Sequence, residues 1–277
     1  MNPPASNESG DGLRVRRLGW AGVEISHGTD HLVIDLFLDN SSLEPFTGPL
    51  HGELLPPTRP GEALAALVTH LHADHADPGA IAAALAPGAP VLGPPRAPAD
   101  SGPLDGAALL AAEHGFAERG IEPEEVAPWE TRSVGPFTVT ALPAVDGFGD
   151  PQVSWAVEAG GKRIVHMGDT MFHGYWWLVP MRVGAIDLAL LPVNGPLVSL
   201  PHRQPASPFP AALDPRQAAT AAQLMGASRA MPIHYDTINN PPTYTQTEVP
   251  AERFAVAARE VGVEPVVLEA GEEITVA

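Results

Sequence analysis

One stretch, VTHLHADHAD from Val68 to Asp77, constrains this chain more than any other. It sets His70, His72, Asp74 and His75 within six positions, directly behind the apolar run Ala66–Thr69, which reads as a strand. A strand end followed by a tight loop can turn several such side chains into one cavity. Neutral imidazoles and a carboxylate are the ligands that borderline and hard divalent cations take. Burying that many polar groups without partners costs several kcal/mol, so packing alone does not account for them. The competing reading is a solvated polar loop. The motif favours a metal site.

Composition narrows the chemistry further. None of the 277 residues is cysteine, which excludes a thiolate nucleophile, Cys-ligated zinc, an iron–sulfur cluster and a disulfide framework. With 15 Lys and Arg against 33 Asp and Glu, the formal charge is −18. Nucleic acid and anionic membranes need a basic face, so neither is an expected partner. The 44% hydrophobic content allows a sizeable core, yet no run approaches the ~20 apolar residues that span a bilayer. The polar start MNPPASNESGDGLR lacks a secretory signal. The expectation is a cytoplasmic protein with residues 1–12 as a disordered leader.

Strand patterns appear at Leu13–Leu18, Gly22–Ser26 and His31–Leu36, with Gly-containing turns between them that suit an antiparallel meander. Asn40–Pro60 reads as a long loop, followed by a short helix over Gly61–Ala65 and the strand before His70. Pro78–Leu85 reads as helix, Pro90–Leu92 as strand, and an Ala-rich helix is expected around Asp105–His114. Strands return at Thr131–Val134, Phe137–Leu142, Gln152–Glu158 and Arg163–His166. Tyr175–Val183 reads as helix and Ile186–Leu191 as a buried strand. Six prolines between Pro192 and Leu213 argue against regular structure there. Asp214 and Pro215 then cap a helix ending at Gly226. A strand Arg229–Ile233, a helix Glu252–Val261 and two closing strands finish the chain. This order predicts sheets flanked by helices.

The HxHxDH pattern behind a strand resembles the signature of the metallo-β-lactamase fold. GWAGVEIS…HLVIDL, ending in Asp35, is similar to that family's opening strands. HMGDT places Asp169 where the family carries a metal-bridging carboxylate, and MPIHYD places His234 at a strand end as its last ligating histidine. The resemblance runs from about Leu13 to Ala277, as a single domain, and is closest to the L-ascorbate-6-phosphate lactonase-like branch. It implies an α/β fold, an αββα sandwich of two mixed β-sheets packed face to face with helices on both outer faces. Two divalent metal ions, zinc or manganese first and iron or magnesium after them, would lie between the sheets.

The sequence departs from that family at one ligand. The family usually adds a third histidine to the first metal, but between His75 and Asp169 only His114 and His166 occur, on a helix and a strand. The expected place falls in LPAVDGFGDPQ, at Asp146. Asp146 either serves as the ligand or caps the turn before Gly147. The implied set is His70, His72 and Asp146 on one metal, and Asp74, His75 and His234 on the other, with Asp169 bridging. The extra carboxylate shifts the preference toward harder cations.

The resemblance implies a hydrolase that directs a metal-bridging hydroxide at a small-molecule lactone, ester or phosphoester, with Asp74 orienting the nucleophile. The alternative is a non-catalytic metal- or ligand-binding protein on the same fold. Asp35 either holds a ligating histidine from behind or caps a strand end. His173 is a candidate extra ligand, an acid for the leaving group or a helix cap. Asn194 and Tyr235 are candidate oxyanion donors, and His202 and Arg203 candidate contacts to an anionic group. Trp176 and Trp177 face different ways, so at most one lines a pocket. The loop Pro192–Leu213 is a candidate lid or homo-oligomer contact.

Overall fold

The computed structural model describes residues 12–96 and 106–277, so the expected leader, apart from Gly12, and the expected helix start at Asp105 lie outside the described residues. The chain opens with the antiparallel meander β1 (Leu13–Gly19), β2 (Gly22–His27) and β3 (Asp30–Ile34). Beyond a short helix α1 (Glu44–Thr47), the first sheet grows in parallel through β4 (Ala66–Leu67), β5 (Val91–Gly93) and β6 (Glu124–Glu125). Helices α2 (Pro78–Ala84) and α3 (Gly106–Ala117) make those parallel crossovers. Next come β7 (Thr131–Val134), β8 (Phe137–Pro143), β9 (Val153–Ala159) and β10 (Lys162–His166), paired antiparallel in turn.

The rest of the chain holds α4 (Leu178–Val183), β11 (Leu188–Pro192), β12 (Leu197–Val198), α5 (Pro215–Leu224), β13 (Arg229–Ile233), β14 (Tyr244–Thr245), α6 (Pro250–Glu260), β15 (Glu264–Pro265) and β16 (Glu273–Val276). Strands β11, β13 and β15 add in parallel beside β10, while β16 returns to pair with β1. The result is two mixed seven-stranded sheets and a separate β12–β14 ribbon.

Side-chain alternation builds the layers. In β9, Val153, Trp155 and Val157 point into a core shared with Val23 and Ile25 of β2 and Leu67 of β4. Ala156, between them in sequence, faces the opposite way onto a second core with Leu191 and with Ala218 and Phe254 of α5 and α6. Val33 and Val91 likewise leave the outer face of the first sheet to meet Ile81 of α2 and Phe116 of α3. Period-two patterning on both sheets therefore yields helix, sheet, sheet, helix. The αββα architecture expected from the motif is the one observed. Among the described residues no helix is long and apolar enough to cross a membrane.

Local chemistry explains several boundaries. Asp214 accepts from Gln217 N at 2.8 Å while the Gln217 side chain accepts from Asp214 N at 3.1 Å, a reciprocal cap on α5. Gly61–Ala65 is not helical. Its Gly61 and Ala63 amides both donate to Ala84 O at 3.0 Å, and Ala63 bridges Leu85. A five-residue helix cannot offset its own nucleation cost when a sheet edge offers these bonds. The Pro192–Leu213 segment contains a two-residue strand, β12, where none was expected; its prolines flank the strand rather than interrupt it.

The parallel strands β4, β10, β11 and β13 end at one rim, and β8 joins them because it and β10 both pair antiparallel with β9. Every loop carrying the histidines and aspartates of interest leaves that rim.

Candidate metal centre

Seven side chains converge there as two sets. His70, His72, Asp146 and Asp169 each offer an atom, all within 4.8 Å of one another, and Asp74, His75 and His234 form a second such group. Asp169 Oδ2 faces both, 3.8 Å from His70 Nε2 and 4.0 Å from His75 Nε2. These are the seven residues expected as ligands from the sequence, and their geometry fits two cations sharing one carboxylate.

The histidines are oriented from behind. His75 Nδ1 donates to Asp35 Oδ2 at 2.8 Å, and His234 Nδ1 donates to Asn194 Oδ1 at 3.0 Å. Thr69 Oγ1 donates to Asp35 Oδ2 at 2.7 Å and so is left to accept from His70 Nδ1 at 3.1 Å. With the δ nitrogens protonated, the Nε2 lone pairs of all three rings point at the shared space. Those three Nε2 atoms and Asp146 Oδ1 are buried with no hydrogen-bond partner. Four such atoms aimed at one place carry a desolvation cost that a divalent cation would remove. His72 is mounted the other way round: Nε2 lies 2.9 Å from Asp150 Oδ2, and Nδ1 faces Asp146 Oδ1 at 4.0 Å.

The two oxygens of Asp146 face different ways, one toward each of its two readings. Oδ2 accepts from the amides of Phe148 and Asp150 at 2.8 and 2.9 Å and shapes the turn, which leaves Oδ1 for the cluster. Asp35 is likewise double-sided, since it also accepts from Thr69 N at 2.8 Å. His114 and His166, the other histidines of that interval, serve elsewhere. His114 pairs with Glu118 on the surface of α3, and His166 Nε2 donates to Ala21 O at 2.8 Å.

The electrostatics suit a site built for cations. Burial opposes charge on His72, yet the Asp150 bond and the facing Asp146 raise it to about 9. Against the same burial, Asp74 and Asp35 raise His75 to about 10. Burial pushes Asp169 up to about 7 and lowers His234 to about 4. Burial and the neighbouring imidazoles of His75 and His72 hold His70 well below the usual histidine range. Protons on two of the imidazoles stand where metal charge would stand. Backbone strain gathers here too: Trp20, Asp35 and His234 hold φ of 48°, 48° and 58°, a conformation rare for non-glycine residues. Gly168, between His166 and Asp169, has φ of 64°, and a Cβ there would sit 3.0 Å from the Thr69 and Gln152 side chains.

A cavity of about 180 Å³ opens over the cluster. Its floor holds His72, Asp74, Asp169 and His234, and its walls are mainly apolar, among them Phe46, Phe148, Val198, Leu200 and Ile238. His202 also lines it, as the sequence suggested.

Four other expected site residues lie elsewhere. His173 stacks on buried Trp176 at 4.0 Å and accepts from Tyr175 N at 3.1 Å, so it caps a turn. Arg203 donates to Phe148 O at 3.0 Å and lies over that ring, bracing the wall from behind. Tyr235 turns away from the cluster, under the guanidinium of Arg17, and lines a separate cavity. Asn194 is buried and does not line the cavity, its Oδ1 bonded to His234 and its Nδ2 to Tyr244 Oη at 2.8 Å, so its amide faces protein groups instead of the substrate space. Trp177 is exposed and neither it nor Trp176 lines the cavity.

Other residues enter that the sequence did not announce. Trp20 Nε1 donates to Asp74 Oδ2 at 3.0 Å, Gln152 Nε2 donates to Asp169 Oδ1 at 2.7 Å, and Asp150 holds His72. Tyr244 lines the cavity, where burial raises its phenol well above the usual range and keeps it protonated. Only Asp150 had a local signal, four residues beyond Asp146 in an Asp-Gly turn.

The family model of the beta-lactamase superfamily domain matches residues 31–235. A UPF0173 metal-dependent hydrolase from Symbiobacterium thermophilum is 28% identical over 270 residues, covering 95% of this chain and all of that one. One from Thermus thermophilus is also 28% identical, over 94% of this chain and 97% of its own. Among solved structures, Igni18, a metallo hydrolase from Ignicoccus hospitalis, superposes with a TM-score of 0.62 at 16% identity, covering 95% of this chain and 97% of that one.

Proposed function

Because the chain belongs to the beta-lactamase superfamily, we propose that it is a dinuclear metal-dependent hydrolase of small molecules, with His70, His72, Asp146, Asp74, His75 and His234 as ligands and Asp169 shared between the two ions. The observation that carries this reading is the set of four buried, partnerless donor atoms aimed at one space beneath an open cavity. The names of the full-length relatives support the reaction class. Two bound divalent ions would supply water acidified from a pKa of about 15.7 toward about 7 and would polarise the oxygen under attack.

The protein's part is to hold and aim. Asp74 sits on the cavity floor with its Oδ2 anchored by Trp20, and it orients the attacking water toward the substrate. Asp35, Asn194, Thr69 and Asp150 keep the imidazoles in register. The walls select the substrate. No lysine or arginine lines the cavity among the described residues, and three carboxylates surround its floor. The positive charge at the site would come from the two ions alone, and the mainly apolar walls suit a lactone or carboxylic ester with an apolar group.

The experiment is elemental analysis of protein purified without chelators, with a screen of lactones, esters and phosphoesters before and after chelation. About two metal equivalents per chain, reduced by Asp169→Ala, with turnover lost on chelation, is the expected result. Full turnover after chelation overturns it. Bound metal with no turnover on any class would favour the non-catalytic binding protein.

A further inference from the structure

We propose that Tyr244 is a catalytic hydrogen-bond donor of this site, its hydroxyl proton turned by the Asn194 amide toward the carbonyl oxygen of the substrate. The inference rests on the proposed metal site and follows from a chain of donors and acceptors. His234 offers its Nε2 to the cluster only if Nδ1 carries the proton. That proton is donated to Asn194, 3.0 Å away, which fixes the amide oxygen on the histidine side. The amide nitrogen must then point the other way, where it donates to Tyr244 Oη at 2.8 Å. With an oxygen lone pair engaged by that N–H, the tyrosine directs its own proton away from Asn194.

The remaining surroundings of Tyr244 decide where that proton goes. The residue lines the cavity beside Asp74, Asp169 and His234, and its ring lies 6.4 Å from that of Trp20. Apart from Asn194, its hydroxyl has no hydrogen-bond partner among the described residues. Its backbone is clamped on both sides, Val198 pairing with Tyr244 in the β12–β14 ribbon and Asn240 exchanging two backbone bonds with it at 2.7 and 3.0 Å. A rigid donor at the edge of an apolar cavity costs no reorganisation when charge develops on a carbonyl oxygen. No proton leaves the tyrosine. Water adds to the acyl carbon, the acyl C–O bond breaks and one proton of that water leaves on the departing alcohol oxygen, while the phenol only stabilises the oxygen that becomes negative between those events.

This role separates two tyrosines that lie close in sequence. Tyr235, next to the ligating His234, faces a different cavity, whereas Tyr244 reaches the site.

The test compares manganese-loaded wild type with Tyr244→Phe, which removes one oxygen and keeps the ring. Butylboronic acid, which becomes a tetrahedral anion at a metal site, is titrated by calorimetry, and 4-nitrophenyl butyrate reports turnover. The expected result is boronate affinity at least tenfold weaker, kcat lower by about 100-fold with KM little changed, and unaltered metal content. Equal boronate affinity in the two proteins, or no boronate binding to wild type, overturns the role of Tyr244. Weaker boronate binding by the variant, with no turnover by either protein of 4-nitrophenyl butyrate or of any class in the lactone, ester and phosphoester screen, would leave the donor standing while removing the hydrolase reading. Should Tyr244→Phe lose metal, Asn194→Asp supplies the second variant. It keeps the acceptor for His234 but takes away the N–H that orients the phenol, which then donates to the new carboxylate, and boronate binding should weaken without metal loss. Unchanged affinity there overturns the proposal.

Discussion

The indole N–H of Trp20 donates to Asp74 Oδ2 at 3.0 Å, while the same ring lies 3.9 Å from the ring of His234. One tryptophan from the first sheet thus fixes two groups of the cluster, and His234 N in turn donates to Trp20 O at 2.8 Å. Trp20→Phe keeps the ring contact and deletes the bond. Metal affinity should fall about tenfold or more with the fold retained, as for other groups that orient ligands. Competition with a chromogenic chelator measures it.

Asp146 divides its oxygens between turn and cluster, so its substitutions should separate. Asp146→Asn retains an oxygen for the Phe148 and Asp150 amides, and metal should drop from about two equivalents toward one with little loss of stability. Asp146→Ala should also cost about 1–3 kcal/mol, because the two amides lose their acceptor. Asp146→His should keep both metals and shift selection from manganese toward zinc. Metal analysis and denaturant melts of the three variants check this.

Asp150 holds His72 through Nε2 and stands 3.9 Å from the Arg203 guanidinium. Asp150→Asn preserves shape but weakens the hold on the imidazole. We expect affinity for one of the two metals to fall about 10- to 100-fold and the other to change little. Two-site titration of the apoprotein distinguishes this from a uniform loss.

His173 is lowered by burial from 6.5 to about 4 in the folded chain. Unfolded, it takes a proton below about pH 6.5, while the folded form refuses one until about pH 4. Its contribution to stability is therefore complete above pH 7 and is lost as pH falls from 6.5 to 4. His173→Gln, which can still accept from Tyr175 N, should flatten that decline in the metal-free protein. Melting temperatures of both proteins across this range provide the measurement.

Ile238 belongs to the cavity wall, far in sequence from the ligand motif. Ile238→Ala should raise KM for an apolar ester by about 10-fold with kcat nearly constant, reflecting a lost apolar contact of about 1–3 kcal/mol. An equal fall in kcat would argue against a binding role.

Much of this protein was written locally. Alternation in β8 and β9 marked strands because the side-chain period of a sheet is two, the unbroken apolar run of β11 marked a strand buried on both faces, and the Asp214–Pro215 cap marked α5 because the first amides of a helix need an acceptor. His70, His72, Asp74 and His75 sit in one short loop and were legible from their spacing, while Asp169 and His234 were marked only by the resemblance of HMGDT and MPIHYD to the metallo-β-lactamase fold. Tertiary structure decided what lies around them. Trp20, Asp150, Gln152 and Tyr244 reach the cluster only because two sheets stack and five strand ends share one rim. Neighbours at a strand end diverge, which turned Tyr235 away from the site of His234. Whether a polar group serves as ligand, brace or donor depends on where its second hydrogen bond goes: for Asp146 that bond is local, to the Phe148 and Asp150 amides, whereas for Asn194 the partners His234 and Tyr244 are set by packing across the whole domain.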